Sequence, residues 1–220
     1  MRRGYTREAY LSLAHRIRET IPGVALSSDF ISGFCGETEA DHAETLSLFR
    51  EVRFETAYMF AYSRRERTHA AYHLDDDVPD DVKNRRLREV IDAFREGART
   101  RHAEDIGTLQ LVLIDGPARK STPGAPLWAG RTDSSKRCIV GEYAVEQSIA
   151  TLLARGNLGP GATVGESAVP LRPGQYVAAY VRGSGDTSLQ ATALAASTLD
   201  EFATLGPVLR KSLQAESFEL

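Results

Sequence analysis

The sequence predicts an α/β domain followed by a small β-barrel. In the first part, amphipathic helices alternate with short apolar runs, the pattern of strands that are covered on both faces in a parallel sheet. Later, short β-type runs are separated by Gly and Pro, which is typical of a barrel. We therefore predict domains at residues 1–104 and 105–198, with an inserted segment at 141–165 and a tail at 199–220.

The first domain is predicted to begin with a helix that Thr6 caps, because apolar residues recur behind it at helical spacing. A buried strand is expected within 24–34. Thr38, with Asp41 three residues later, forms a capping-box pattern for a second helix. A second strand is expected at 57–62. The short connections between these elements favour a parallel sheet.

A long helix is expected from Pro79 to about residue 101, since three aspartates at 75–77 place negative charge at the positive end of its dipole. In the second domain we predict β-structure at 109–114, 131–140, 175–181 and 189–195, and a partly helical stretch at 146–153. The tail is either a helix or disordered.

Composition restricts the classes of protein that the chain can represent. Hydrophobic residues make up 42% and charged residues 26% of 220 residues, as in ordinary globular proteins. The net charge of -3 excludes a global basic field, so any contact with RNA requires a local patch. No apolar run is long enough to cross a bilayer, and we expect no membrane partner. Cys35 and Cys138 alone form neither a disulfide framework nor a zinc or iron–sulfur motif.

Several ordered motifs give the chain a resemblance to a known family. These are the stretch R-G-Y-T-R-E-A-Y-L at 3–11, S-D-F-I-S-G-F-C-G-E-T-E at 28–39 and F-A-Y-S-R-R-E-R-T-H-A-A at 60–71. Together they resemble the MiaB-type radical-SAM tRNA methylthiotransferases, closest to the bacterial and mitochondrial branch, with Cys35 where most members have proline. Residues 116–120 and 130–133 resemble the TRAM domain of that family.

The resemblance implies a more specific fold and reaction. Residues 1–104 would be the C-terminal part of a radical-SAM partial TIM-type barrel, and the β-rich part an OB-like TRAM barrel that binds tRNA. Family members use S-adenosylmethionine and 4Fe–4S clusters to add a 2-methylthio group to isopentenyladenosine beside the anticodon. The expected location is mitochondrial or cytoplasmic.

The family also requires cysteines that this sequence lacks. Its radical-SAM motif and its N-terminal domain each supply three cysteines, and this chain has two in total. We therefore expect no cluster on this chain, no catalytic residue within it and no activity of the chain alone. We further expect the chain to be the C-terminal portion of a longer protein, whose missing N-terminal half, or a full-length paralogue, would be a partner. A genuine short protein is the alternative.

The resemblance places a set of cofactor-binding candidates at the ends of the two predicted strands, where barrel active sites lie: Asp29, Ile31, Gly33, Tyr62, Ser63 and Arg64. Without the resemblance, the first strand is a plain strand–turn–helix unit and the arginine loop is a solvated basic loop. His69 and His73 have the spacing of a helical metal site, but no helix is evident there, and exposed histidines are the favoured interpretation.

The basic residues of the β-rich part are the candidates for RNA binding: Arg119, Lys120, Trp128, Arg131, Lys136 and Arg137. Lys and Arg on a barrel can neutralise phosphates, and Trp128 can stack on a base. The alternative is ordinary surface charge with Trp128 in the core. A non-catalytic TRAM-type RNA-binding module is thus the second function compatible with the sequence, and a regulatory subunit is a third.

Overall fold

The structure is a computed structural model that describes residues 3–141, 144–156, 158, 165 and 168–217. The chain divides into two compact units, 1–101 and 102–220. The first unit contains two strands and most of the helices, and the second contains a closed barrel. In the described residues, no helix combines the length and apolar character that a membrane crossing requires.

Helices and two parallel strands alternate in the first unit. The elements are α1 (Arg7–Thr20), β1 (Ser27–Ser32), α2 (Glu39–Val52), β2 (Thr56–Ala61), α3 (His69–His73) and α4 (Asp80–Ala103). β1 and β2 pair in parallel, with Ser27 opposite Thr56, which confirms the predicted parallel pairing. The predicted Thr38–Asp41 capping box is also confirmed. α3 occupies a stretch where the sequence indicated no helix, so that interpretation was wrong.

One face of the β1–β2 sheet packs against the helices. Phe30 of β1 lies with its ring centroid 4.1 Å from that of Phe49 and 5.3 Å from that of Phe54, both fully buried. Each such aromatic side chain contributes a large apolar area to this core. The opposite face carries Tyr58 and Phe60 with more than half of their surface exposed. The sequence predicted strands covered on both faces, whereas the described residues cover one.

The second unit is built around the small barrel that the sequence predicted. Its strands are β3 (Leu109–Pro117), β4 (Trp128–Thr132), β5 (Arg137–Val140), β8 (Tyr176–Ser184) and β9 (Leu189–Ser197), closed in the order β3-β4-β5-β9-β8. Inward-facing residues such as Val112, Cys138 and Val177 are fully buried, as the alternation of a closed barrel requires.

Two helices cover one side of the barrel. α5 (Ile149–Arg155) and α6 (Leu199–Ser217) pack with the buried side chains of Leu109, Ile149 and Leu209 in a second core. The short strands β6 (Ala144–Val145) and β7 (Val169–Pro170) form a separate antiparallel pair. Along the chain, β6 precedes α5 and β7 follows it. The tail that the sequence left undecided is therefore helical from residue 199, and residues 142, 143, 157 and 159–164 of the predicted insertion lie outside the described residues.

Candidate functional site

Two carboxylates hold the turn that follows β1: Asp77 Oδ1 accepts a hydrogen bond from the Gly36 N–H (2.7 Å), and Glu37 binds two further N–H groups. Glu37 Oε2 accepts hydrogen bonds from the backbone N–H groups of Gly33 (2.7 Å) and Phe34 (3.3 Å). The guanidinium of Arg86, from α4, donates to the Glu37 carbonyl (2.9 Å) and to Glu37 Oε1 (3.1 Å). The Arg86 side chain is 4% exposed, so these charge-assisted bonds operate with little screening by solvent. They fix the backbone at the carboxyl end of β1.

A lysine of α4 lies beside the same turn, next to Gly33. Lys83 Nζ lies 2.7 Å from Asp76 Oδ1 and 5.7 Å from the ring centroid of Tyr62, at the end of β2. Asp76 raises the pKa of Lys83, so the ammonium stays charged at neutral pH. Burial, and then a hydrogen bond with Cys35, raises the pKa of Tyr62, which therefore remains a neutral phenol.

A cavity of about 900 Å³ opens at this carboxyl edge of the β1–β2 sheet. Its apolar wall includes Ile31, Phe34 and Phe60. Polar and charged residues also line it: Arg3 near the start of the chain, and Ser63, Arg65, Thr68 and His69 from the segment after β2 and from α3. An apolar wall with a few convergent polar groups is the usual composition of a small-molecule site. The arrangement suits a flat, partly apolar ligand that also carries an anionic group.

The structure brings together part of the predicted cofactor set. Ile31, Tyr62 and Ser63 line the cavity, and Gly33 begins the turn beside it. Asp29 lies on the same exposed face of β1, two residues before Ile31. Arg64 differs, because its guanidinium donates to the carbonyl of Ala71 in α3 and it does not line the cavity.

The predicted cofactor set contained Arg64 and neither Arg65, its neighbour in the same basic loop, nor His69, but these two residues line the cavity and Arg64 does not. The signal that was overlooked is Thr68, whose side chain accepts from the Ala71 N–H and caps α3. The rings of His69 and His73 lie 4.4 Å apart, but the described residues contain no group of three side chains suited to a metal ion.

The residues present do not fit an iron–sulfur cluster. The two cysteines of the sequence lie in different units, and Cys138 is fully buried in the barrel core. A cluster requires about four thiolate-type ligands brought to one place. The cavity in the first unit does fit one side of a nucleoside-type cofactor, through its apolar wall and the neighbouring Ser63 and Arg65.

A second cavity, of about 700 Å³, lies in the barrel unit. Three of the predicted RNA-binding residues line it: Arg119, Lys120 and Arg137. Arg182, which sequence reasoning did not select, also lines it. Arg182 lies in β8, far along the chain from the other cations, so spacing in the sequence gave no signal of their proximity.

The other three predicted RNA-binding residues are placed differently. Lys136 is buried, and its Nζ lies 2.6 Å from Asp105 Oδ2, so we remove it from the set that would contact phosphate. Trp128 packs against the barrel core, the alternative that the sequence left open. Arg131 is exposed, with Nε 3.7 Å from Asp115 Oδ2, and it is the direct cross-strand neighbour of Arg137.

The chain is similar to curated proteins that modify tRNA. It is 43% identical over 204 residues to the mitochondrial tRNA methylthiotransferase CDK5RAP1 of Mus musculus, covering 93% of this chain and 32% of that protein. It is 58% identical over 137 residues to the CDK5RAP1-like protein of Oryza sativa subsp. japonica, covering 62% of this chain and 22% of that protein. No protein-family model matches.

A bacterial protein is similar over the same region. The chain is 49% identical over 136 residues to the tRNA-2-methylthio-N(6)-dimethylallyladenosine synthase of Chloroherpeton thalassium, covering 62% of this chain and 30% of that enzyme. The chain thus spans about a third or less of the length of these relatives.

Proposed function

Because this chain belongs to the family of MiaB-type tRNA methylthiotransferases, we propose that it is the C-terminal portion of an enzyme that adds a 2-methylthio group to isopentenyladenosine beside the anticodon of tRNA. The observation that carries the proposal is the 43% identity over 93% of the chain. The proposed cofactors are S-adenosylmethionine and 4Fe–4S clusters, and the proposed location is the mitochondrion.

In this proposal the first unit supplies one side of the cofactor site. The exposed face of β1 and β2 presents Ile31, Tyr58 and Phe60, and the cavity opens where these strands end. The edges of a sheet of two short parallel strands favour pairing with further strands, and its exposed apolar side chains favour a face covered by other residues. We propose that polypeptide beyond this chain completes the radical-SAM barrel over that face.

The cavity residues have separate roles in this proposal. Ile31 and Phe60 pack against the flat part of S-adenosylmethionine and exclude water. Arg65 binds its carboxylate, with Ser63 donating a hydrogen bond. When bound together with a cluster, this cofactor supplies a radical. The cluster ligands must come from polypeptide beyond this chain, since Cys35 and Cys138 cannot hold one.

The second unit is proposed to be the TRAM barrel that binds tRNA. Its cavity is lined by the cations Arg119, Lys120 and Arg137, although the chain as a whole has a net charge of -3. Local positive charge of this kind binds phosphates and releases counterions. A non-catalytic RNA-binding module would need the same barrel, but the relatives carry the names of transferases, which favours the enzymatic proposal.

A chimeric enzyme tests the proposal. The segment of the Chloroherpeton thalassium synthase that matches this chain is replaced by this chain, and tRNA nucleosides from a host lacking the modification are analysed by mass spectrometry. We expect 2-methylthio-isopentenyladenosine to appear. A matched chimera with Ile31→Glu should lose most of the product, and circular dichroism and iron analysis check that it is folded and cluster-loaded. A folded, cluster-loaded unsubstituted chimera that forms no product contradicts the proposal.

A further inference from the structure

The cavity of the barrel unit lies on the outer surface of the strands. Along β9, Leu189 is fully buried, while Gln190 is exposed on the outer face. Ile139 of β5 is the register partner of Gln190, and Thr192 of β9 is the partner of Tyr180 in β8. The floor of the cavity is thus formed by neighbouring strands, and the segments around residues 118–127 and 187–188 form its sides.

Among the residues that the structure describes, four cations and no carboxylate line this cavity. They are Arg119, Lys120, Arg137 and Arg182. All four are exposed, and among the described residues none of them is within ion-pair distance of an acidic side chain. Elsewhere in the same unit, Arg131 and Lys136 are each paired with an aspartate. Within the described part of the chain these cations thus have no acidic partner, and a phosphate group would neutralise their charge.

The interior of the cavity is also suited to an uncharged organic group that has both apolar and hydrogen-bonding surface. Leu127 and Ile139 give it apolar surface, and Ser188, Gln190 and Thr192 add uncharged donors and acceptors. The carboxamide of Gln190 both donates and accepts, as the edge of a nucleobase requires. At about 700 Å³ the space lies within the range that holds small organic groups of roughly 300–1,000 Å³.

One cation of the cavity is oriented in advance. The Arg182 guanidinium carbon lies 4.7 Å from the ring centroid of Tyr180, and Arg182 Nε donates to Thr192 Oγ1 at 3.5 Å. Stacking on an aromatic ring restricts the plane of a guanidinium, so less entropy is lost when it binds a ligand. An oriented guanidinium can contact a phosphate with paired N–H groups or stack on a base.

We propose that this cavity binds one unpaired nucleotide of single-stranded RNA, with Arg137 and Arg182 at its phosphate and Gln190 at the edge of its base. The proposal rests on the proposed function for RNA as the ligand, and it adds Arg182 and Gln190 to the residues that bind it. A base inside a duplex is stacked and paired, and so cannot enter the cavity. The site thus selects unpaired segments such as loops.

Fluorescence anisotropy with the full chain tests this inference. The probe is a labelled oligouridylate of about 12 nucleotides, within the site size of OB-type barrels, compared with an RNA duplex of the same length. We expect Arg137→Ala/Arg182→Ala to weaken binding about tenfold or more and to lower the salt slope by about one, because both arginines contact the same phosphate. The matched control is Arg172→Ala, an exposed arginine of the same unit outside this cavity, and it should change affinity less than about twofold.

A substitution that leaves the charge unchanged separates recognition of the base from electrostatic attraction between the cations and the RNA phosphates. Gln190→Leu should weaken binding of the single strand several-fold and leave the salt slope unchanged. The inference is overturned if Gln190→Leu binds normally, if the duplex binds as tightly as the single strand, or if Arg172→Ala is as damaging as the double variant. These positions are exposed, and circular dichroism checks that each variant is folded.

The outcomes distinguish this inference from the proposed function. Binding of the single strand through the cavity, combined with an inactive chimera, would leave the inference standing and reject the transferase proposal. An active chimera, combined with normal binding by Gln190→Leu, would support the transferase proposal and reject the inference.

Discussion

Lys83 of α4 occupies the space that a side chain on Gly33 would require. A Cβ atom added to Gly33 would lie 2.3 Å from Lys83 Cγ and 3.2 Å from its Cα. Gly33 also has a φ of +77°, in the left-handed region that glycine adopts without strain. The close approach lets α4 pack directly on the turn that ends β1.

Gly33→Ala should therefore destabilise the first unit more than the neighbouring Gly36→Ala. Both glycines have nearly the same positive φ, but an added Cβ on Gly36 meets no atom within 4 Å. We expect Gly36→Ala to lower the free energy of unfolding by about 1 kcal/mol, and Gly33→Ala by about 2–4 kcal/mol, because Lys83 must also move. Urea denaturation of the full chain measures both. Equal losses would show that the approach of Lys83 is unimportant.

Arg86 is expected to be the more important of two adjacent arginines. Its buried guanidinium is bonded to Glu37 and lies 2.8 Å from Glu39, whereas the Arg85 side chain is 44% exposed. Arg86→Ala leaves the Glu37 carboxylate largely without its cation, so we expect a loss of about 3 kcal/mol in the free energy of unfolding. Arg85→Ala should cost less than about 1 kcal/mol. Thermal denaturation of both variants tests the difference, and a reversed order would contradict it.

Lys136 should contribute to the stability of the barrel and not to RNA binding. Its Nζ is 2.6 Å from Asp105, and both side chains are largely buried. Lys136→Ala is expected to lower the free energy of unfolding by about 3 kcal/mol, because Asp105 stays buried without a partner. Adding Asp105→Asn should recover part of that loss. RNA affinity, measured where the variant is folded, should remain within about twofold of the original. A folded variant that binds RNA much more weakly would restore Lys136 to the phosphate-binding set.

Acid should destabilise the first unit through three carboxylates. A hydrogen bond with His42 lowers the pKa of Glu89. Hydrogen bonds from Arg86 and Thr38 likewise lower the pKa values of Glu39 and Asp41, respectively. Because the folded-state pKa values lie below the unfolded ones, these groups stabilise the fold at higher pH, and their contribution is lost as the pH falls through the folded-state values. We expect the urea midpoint to decrease between about pH 5 and about pH 3.

Glu89→Gln serves as the control for this pH dependence. The variant cannot ionise at position 89, so its stability should change less over the same pH interval than that of the unsubstituted chain. His42 Nε2 lies 2.7 Å from Glu89 Oε2, and a neutral amide should replace only part of that interaction. An unchanged pH profile would exclude Glu89 as a source of the acid sensitivity.

Trp128, the single tryptophan of the chain, should report on the barrel core. It packs against that core at the start of β4, opposite the fully buried Val140. We expect its fluorescence to be blue-shifted compared with the unfolded chain and nearly unchanged when oligouridylate binds. Strong quenching by RNA would instead support stacking of Trp128 on a base.

The sequence by itself determined the local elements and the family. Helix caps at Thr6 and Thr38, the strands before and after α2, and the short β-runs of the barrel all depend on neighbouring residues, so their patterns are visible along the chain. The resemblance depends on ordered motifs and is likewise a property of the chain itself. The missing cluster cysteines also needed no structure.

Only the tertiary structure decided which of the candidate side chains share a site. Arg137 and Arg182 line one cavity because β5 and β8 both adjoin β9 in a closed barrel, and Lys136 is buried beside Asp105. These are contacts between residues far apart in sequence, formed by barrel closure and burial. Their energies depend on distance in space and on exclusion of water, quantities that the order of residues along one chain does not display.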